Sequence, residues 1–165
     1  MIKNSHCSFC GHPFSPNQPW PRTCANCGNM SFVNPLPVVV MLVPVDSGLL
    51  LIRRGIAPGR GKWAFPGGFI DLGETWQEAG AREVREETHL QIDPGEIREF
   101  QVRSAPDGTL LIFGLARPRS AELLPPFCAT AETTERVVRR ELRDMAFELH
   151  RLAGEAFFNG RCYLP

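Results

Sequence analysis

The chain has 165 residues, 43% of them hydrophobic and 22% charged, with 18 basic and 18 acidic side chains. That length suits one ordinary domain plus a small module, and the composition indicates a packed fold rather than disorder. A balanced charge argues against a general nucleic-acid binder, and no apolar run approaches the roughly 20 residues of a membrane span. Met1 to Cys7 lacks the apolar core of a signal peptide, so a cytoplasmic setting with reduced thiols is expected.

Residues 1–34 differ in texture from the rest. They are polar and proline-rich and hold four of the six cysteines, as Cys7-x-x-Cys10-Gly11 and Cys24-x-x-Cys27-Gly28. A segment this short needs a staple or a metal to fold. Two C-x-x-C turns present four soft thiolates, which suits a tetrahedral structural zinc, and the glycine after each pair lets backbone amides turn towards sulfur. Such a site supplies about 10–16 kcal/mol, enough to hold a 30-residue zinc ribbon together. Only Lys3 and Arg22 are basic here, so the ribbon is expected to be structural or dimer-forming rather than nucleic-acid binding. Cys128 and Cys162 stand alone and read as ordinary buried thiols.

From Pro35 the pattern changes. Val38 to Val43 reads as a buried strand and Leu49 to Ile52 as a second, joined in a hairpin through Asp46-Ser47-Gly48. Ile56 to Gly61 is a loop, and Trp63 to Phe65 a short extended piece ending at Pro66-Gly67-Gly68. Thr75 and Glu78 fit a capping box that opens a helix to about Thr88, in which Gly80 allows close packing on the sheet. Ile97 to Arg103 and Thr109 to Ala116 form a hairpin around Pro106-Asp107-Gly108. A strand near Arg136 to Arg140 and a helix from Arg143 to Ala153 close the chain. This order of elements indicates α/β or α+β layering, with a ribbon over 1–34 and a second domain over 35–165.

The helix carries the chemistry. Glu83, Glu86 and Glu87 stand at i, i+3 and i+4, so they share one face. Three carboxylates this close repel unless a cation intervenes, and hard oxygen ligands suit Mg²⁺ or Mn²⁺. A solvated charged face is the plain alternative, because Glu78 with Arg82 and Arg82 with Glu86 make favourable i, i+4 pairs.

The whole stretch, GFIDLGETWQEAGAREVREETHL from Gly68 to Leu90, resembles the Nudix signature G-x5-E-x7-R-E-U-x-E-E-x-G-U, where U is a bulky apolar residue. Six fixed residues match in register, for which chance gives on the order of 10⁻⁵ in such a chain. His89 departs from the pattern, which has glycine there. That residue follows the helix, where a left-handed cap is common.

The resemblance implies a Nudix α/β/α sandwich with a mixed sheet. It implies divalent-metal ligation by Glu83, Glu86, Glu87 and the carbonyl of Gly67 or Gly68, and a brace between Glu74 and Arg82. It implies water attack on a phosphorus of a nucleoside diphosphate linked to another moiety, with Glu86 and Glu87 at the catalytic centre. A general base outside the signature is sought at Glu132 or Glu135. Substrate contacts are expected from Arg53 and Arg54 to phosphate, with Arg60 and Lys62 as weaker candidates, and from the rings of Trp63 and Phe69.

The ribbon, Asn34-Pro35 and Pro66-Gly67-Gly68-Phe69 together are similar to the ribbon-bearing subgroup of ADP-ribose and FAD pyrophosphatases. NADH pyrophosphatases also bear a ribbon, with a Ser-Gln-Pro-Trp-Pro-Phe-Pro motif after the signature. Here Asn17-Gln18-Pro19-Trp20-Pro21 lies far upstream, a coincidence. Pro106 stands where ADP-ribose pyrophosphatases carry a marker proline, and reads equally as a turn proline. The expected partner is a small nucleotide-diphosphate substrate, with no membrane and with a homodimer left open. A non-catalytic Nudix ligand sensor or regulator, and a hydrolase of modified nucleoside triphosphates, are the alternatives.

Overall fold

A computed structural model describes residues 3–160. Cys162 lies outside them. Two compact units divide the chain, Met1–Pro35 and Leu36–Pro165.

In the first unit β1 (Arg22–Thr23) and β2 (Met30–Ser31) pair antiparallel. The two C-x-x-C turns repeat one pattern. The Gly11 amide donates to the Cys7 carbonyl at 3.0 Å, and the Gly28 amide to that of Cys24 at 2.9 Å. Both glycines have φ of 73°, a left-handed conformation that a side chain would strain.

The second unit contains β3 (Leu36–Leu42), β4 (Pro44–Val45), β5 (Gly48–Arg54), β6 (Trp63–Ala64) and β7 (Gly67–Phe69), followed by α1 (Trp76–Thr88). Then come β8 (Arg98–Ser104), β9 (Thr109–Leu115), β10 (Thr133–Arg139) and α2 (Glu148–Phe158). One sheet has the order β7-β3-β9-β8, with β3 and β9 parallel and the other pairs antiparallel. The other has β10-β5-β4, with β6 also on β5, all antiparallel.

Side chains alternate along β3 because a strand repeats every two residues. Val39 and Met41 pack with Ala79 and Val84 of α1. Val40 and Leu42 pack with Phe65, Phe113 and Ala153 of α2. The strand layer thus lies between two helices, the α/β/α arrangement expected, with mixed strand directions. Gly80 fits against β3 as anticipated: a Cβ there would lie 2.6 Å from Met41 Sδ.

Three local expectations are corrected. The hairpin from Val38 to Ile52 is reduced to β4 on β5, because β3 joins the other sheet and the chain changes sheets at Pro44, which has no N–H for the ladder. The last helix starts at Glu148 instead of Arg143. Residues 144–146 are tied to β6 through a bridge at Met145, where the Trp63 amide donates to the Asp144 carbonyl at 3.0 Å and the Ala146 amide to that of Trp63 at 2.7 Å. Asp144 has φ of 55°, which no helix continues. Cys128 is exposed, not buried, since Phe127 beside it turns inward. No described helix is long and apolar enough to cross a membrane.

Candidate functional site

The signature helix begins at a complete capping box. Thr75 Oγ1 accepts the Glu78 amide at 3.2 Å and Glu78 accepts the Thr75 amide at 2.7 Å, which fixes the first turn. The helix ends at His89, whose φ of 63° and ψ of 2° form a left-handed cap with its amide on the Arg85 carbonyl. The departure from glycine therefore keeps the glycine conformation. His89 packs its ring on Phe127, 5.7 Å between centroids. The Arg136 guanidinium lies over the same phenylalanine and donates to the Thr88 carbonyl at 2.5 Å and the Pro125 carbonyl at 2.7 Å. These contacts clamp the C-terminal end of α1 to β10.

Between the clamped ends lies a cleft of about 280 Å³ lined by Arg54, Gly67, Gly68, Arg82, Glu83, Glu87 and Glu132, among others. Glu87 accepts the Gly67 amide at 2.9 Å. Burial raises its carboxyl from the usual 4.5 to about 8, and the charges of Glu83 and Glu132 push the same way. Burial also raises Glu83, against the pull of Arg82. Gly68 leaves room for this carboxylate: a Cβ there would lie 2.3 Å from Glu83 Oε1 and displace it.

Arg82 donates to Glu74 at 2.7 Å, to Glu83 at 2.7 Å and to the Phe69 carbonyl at 3.0 Å. It ties the loop before the helix to the helix itself and holds Glu74 below the usual carboxylate range. Glu86 is half-exposed, contacts Arg82 at 3.5 Å and Arg85 at 3.3 Å, and does not line the cleft.

The two candidate bases separate. Glu132 lies in the cleft, its carbonyl taking the Gly55 amide at 2.7 Å and its amide bonded to Thr130 Oγ1 at 3.2 Å. Glu135 points elsewhere, paired with Arg53 at 2.9 Å. The arginines separate likewise. Arg54 lines the cleft, its Nε anchored on the Pro58 carbonyl at 2.7 Å. Arg53 lies over Trp63 instead. Trp63 is only 3% exposed, with Arg139 over the same ring, so it serves the core and offers no face to a base. Phe69 is 55% exposed at the cleft wall.

A second, more apolar cavity of about 510 Å³ shares Arg54, Gly67, Gly68 and Phe69 with the cleft. Phe147, His150, Pro106 and Asp107 also line it. Sequence reasoning missed Phe147 and His150; the available signal was an aromatic followed three residues later by a histidine, one face of a helix turn.

In the first unit the four thiol sulfurs of Cys7, Cys10, Cys24 and Cys27 lie within 4.8 Å of one another. Cys7 and Cys27 are 3.8 Å apart, and Cys10 and Cys24 3.6 Å. Zn–S bonds of about 2.3 Å require tetrahedral edges of about 3.8 Å, so the set fits zinc. Donors surround it: the Phe9 amide at 3.4 Å from Cys7 Sγ and Asn29 Nδ2 at 3.5 Å from Cys27 Sγ.

Residues 35–155 match the NUDIX domain family profile. The NAD-capped RNA hydrolase NudC of Edwardsiella ictaluri is 34% identical over 87 residues, 52% of this chain and 34% of that protein. Its Salmonella typhi counterpart is 30% identical over the same shares. The matched stretch thus spans about a third of these relatives' length. A crystal structure of a NUDIX hydrolase from Nitrosomonas europaea superposes with a TM-score of 0.77 at 28% identity, covering 95% of this chain and 92% of that one. A bifunctional NMN adenylyltransferase/ADP ribose pyrophosphatase from Francisella tularensis, complexed with AMP and a Mn ion, gives 0.65 at 25% identity over 79% of this chain and 43% of that one. With a full-length fold match and a family match over most of the chain, the protein belongs to the NUDIX family of hydrolases.

Proposed function

We propose that the chain hydrolyses the diphosphate of a nucleoside diphosphate linked to another moiety, of the ADP-ribose, FAD or NADH type. The observation that carries this reading is the cleft, which Glu83, Glu87 and Glu132 line together with Arg54 and Arg82. A carboxyl raised to about 8 beside two others is a site short of positive charge. Such a site suits a divalent cation, and oxygen donors select Mg²⁺ or Mn²⁺. Glu83, Glu86, Glu87 and the Gly67 carbonyl would hold it, and Glu86 would have to leave its surface partners Arg82 and Arg85 to join them. Such an ion neutralises diphosphate charge and makes bound water more acidic.

The chain's own groups do the rest. Arg54 takes phosphate oxygens. Glu132 accepts the proton of the attacking water, in preference to Glu135, which is engaged by Arg53. The Glu74–Arg82 brace keeps the loop on the helix. The four cysteines hold a structural zinc, a use of reduced thiols that fits the cytoplasm.

The test is a panel of ADP-ribose, FAD, NADH and NAD-capped RNA with Mg²⁺ or Mn²⁺. Products are analysed as AMP, FMN, nicotinamide mononucleotide and pyrophosphate. Release that disappears in Glu86→Gln supports the reading; no release from any substrate sinks it. Metal analysis should find one zinc per chain, lost in Cys24→Ala.

A further inference from the structure

The carboxylate cleft leaves the adjoining cavity without a use. His150 lines that cavity at 6% exposure, in the first turn of α2. Its Nδ1 accepts the Phe65 amide at 3.2 Å. A neutral imidazole has one acceptor and one donor nitrogen, so the ring proton resides on Nε2. Burial, aided by the charge of Arg54, pushes the group down to about 3 and so favours the neutral ring. Nε2 has no hydrogen-bond partner among the described residues and is not wholly enclosed. It remains open on a cavity wall.

The ring cannot swing away to find a partner. It is stacked on Phe65 at 5.8 Å and 10°, meets Phe113 edge-on at 5.8 Å, and is covered by Phe147 at 4.9 Å. A buried donor left unpaired is unfavourable. A fixed donor in a cavity walled by Phe69, Phe147, Val40 and Leu111 calls for a flat apolar ligand with one acceptor at its edge. The cavity's size is that of small-molecule sites.

We infer that this cavity is the subsite for the substrate's aromatic heterocycle, and that His150 determines specificity by donating its Nε2–H to a ring nitrogen or carbonyl. The inference rests on the reading that the neighbouring cleft takes the diphosphate. Arg54, Gly67, Gly68 and Phe69 bound both spaces, so one extended ligand occupies them together. Phe147 and Phe69 supply the apolar faces for the ring.

The experiment is calorimetric titration of AMP, FMN and nicotinamide mononucleotide into wild type and His150→Phe, which keeps an aromatic ring among aromatic neighbours and removes the donor. At least one mononucleotide should bind wild type, and its Kd should rise tenfold or more in the variant. Equal Kd values, or no binding of any of the three, overturn the inference. If His150→Phe does not fold, wild-type protein with ¹⁵N-labelled histidine decides: the bound ligand must shift the Nε2 signals of His150, and an unmoved Nε2 refutes the contact. The substrate panel keeps the two readings apart. Hydrolysis with unchanged Kd in His150→Phe removes this inference alone. Ring binding that depends on His150 without any hydrolysis removes the catalytic reading alone.

Discussion

Glu87 offers a direct measure of how burial and neighbouring carboxylates disfavour negative charge in the cleft. Its carboxyl is raised from 4.5 to about 8, chiefly by burial. Between those values the unfolded chain has released the proton and the folded one retains it. Stability therefore falls as pH rises through that window, and the loss is complete above about 8. From pH 5 to pH 8 the linked change is about 4 kcal/mol, taking 1.36 kcal/mol for each tenfold step, and partial exposure makes this a ceiling. His150 acts in the opposite direction, since its lowered value makes stability fall below its ordinary 6.5. The difference between wild type and Glu87→Gln cancels that contribution. Urea unfolding followed by circular dichroism, in Mg²⁺-free buffer without chelator so that a zinc site is undisturbed, should show wild type losing stability relative to Glu87→Gln by up to about 4 kcal/mol over that range. Adding Mg²⁺ at pH 8 should restore wild type and leave the variant unchanged. Parallel pH profiles for the two proteins would refute the argument.

Arg136→Ala removes two charge-assisted bonds at the end of α1; urea unfolding should register a loss of about 3 kcal/mol, and a change below about 0.5 would show that the clamp is idle. At His89 the left-handed φ predicts that His89→Gly stays within about 1 kcal/mol of wild type while His89→Val loses about 2 kcal/mol or more, measured the same way. Gly68→Ala drives a methyl group into the Glu83 carboxylate; turnover should drop by at least about tenfold with the circular dichroism spectrum retained, and full activity would show that Glu83 can move freely.

Much of the site was legible because the signature is local. Its carboxylates, capping box and brace all fall within one loop and one helix, where spacing alone determines neighbours. The cluster of four cysteines was legible for the same reason, as two short turns. What stayed hidden depends on distant pairings. The sheet change at Pro44 is decided by β9, some 70 residues away in sequence, outbidding β5 for β3. The late start of α2 is decided by Trp63, whose backbone bonds 144–146 outweigh their helical propensity. Those same bonds bury Trp63 and remove it from the ring contacts expected of it. Glu132 and Glu135 looked equivalent along the chain; register shifts between Thr133 and Glu135 against β5, and only Glu132 reaches the cleft.

The stretch from Trp63 to Gly68 has five successive duties. Trp63 grips the entry to α2, the Phe65 amide fixes the His150 ring, and the Pro66 carbonyl receives the Met41 amide of β3. The Gly67 amide holds Glu87, and Gly68 makes room for Glu83. An insertion or deletion here would misalign both cavities at once. A lineage seeking new substrates is thereby barred from reshaping this backbone and must instead vary what surrounds it: the Pro106-Asp107 turn, Phe147, and the loop from Ile56 to Gly61. Loop lengths that vary in those three places while these six residues keep a fixed length among homologues would trace how specificity has been able to drift.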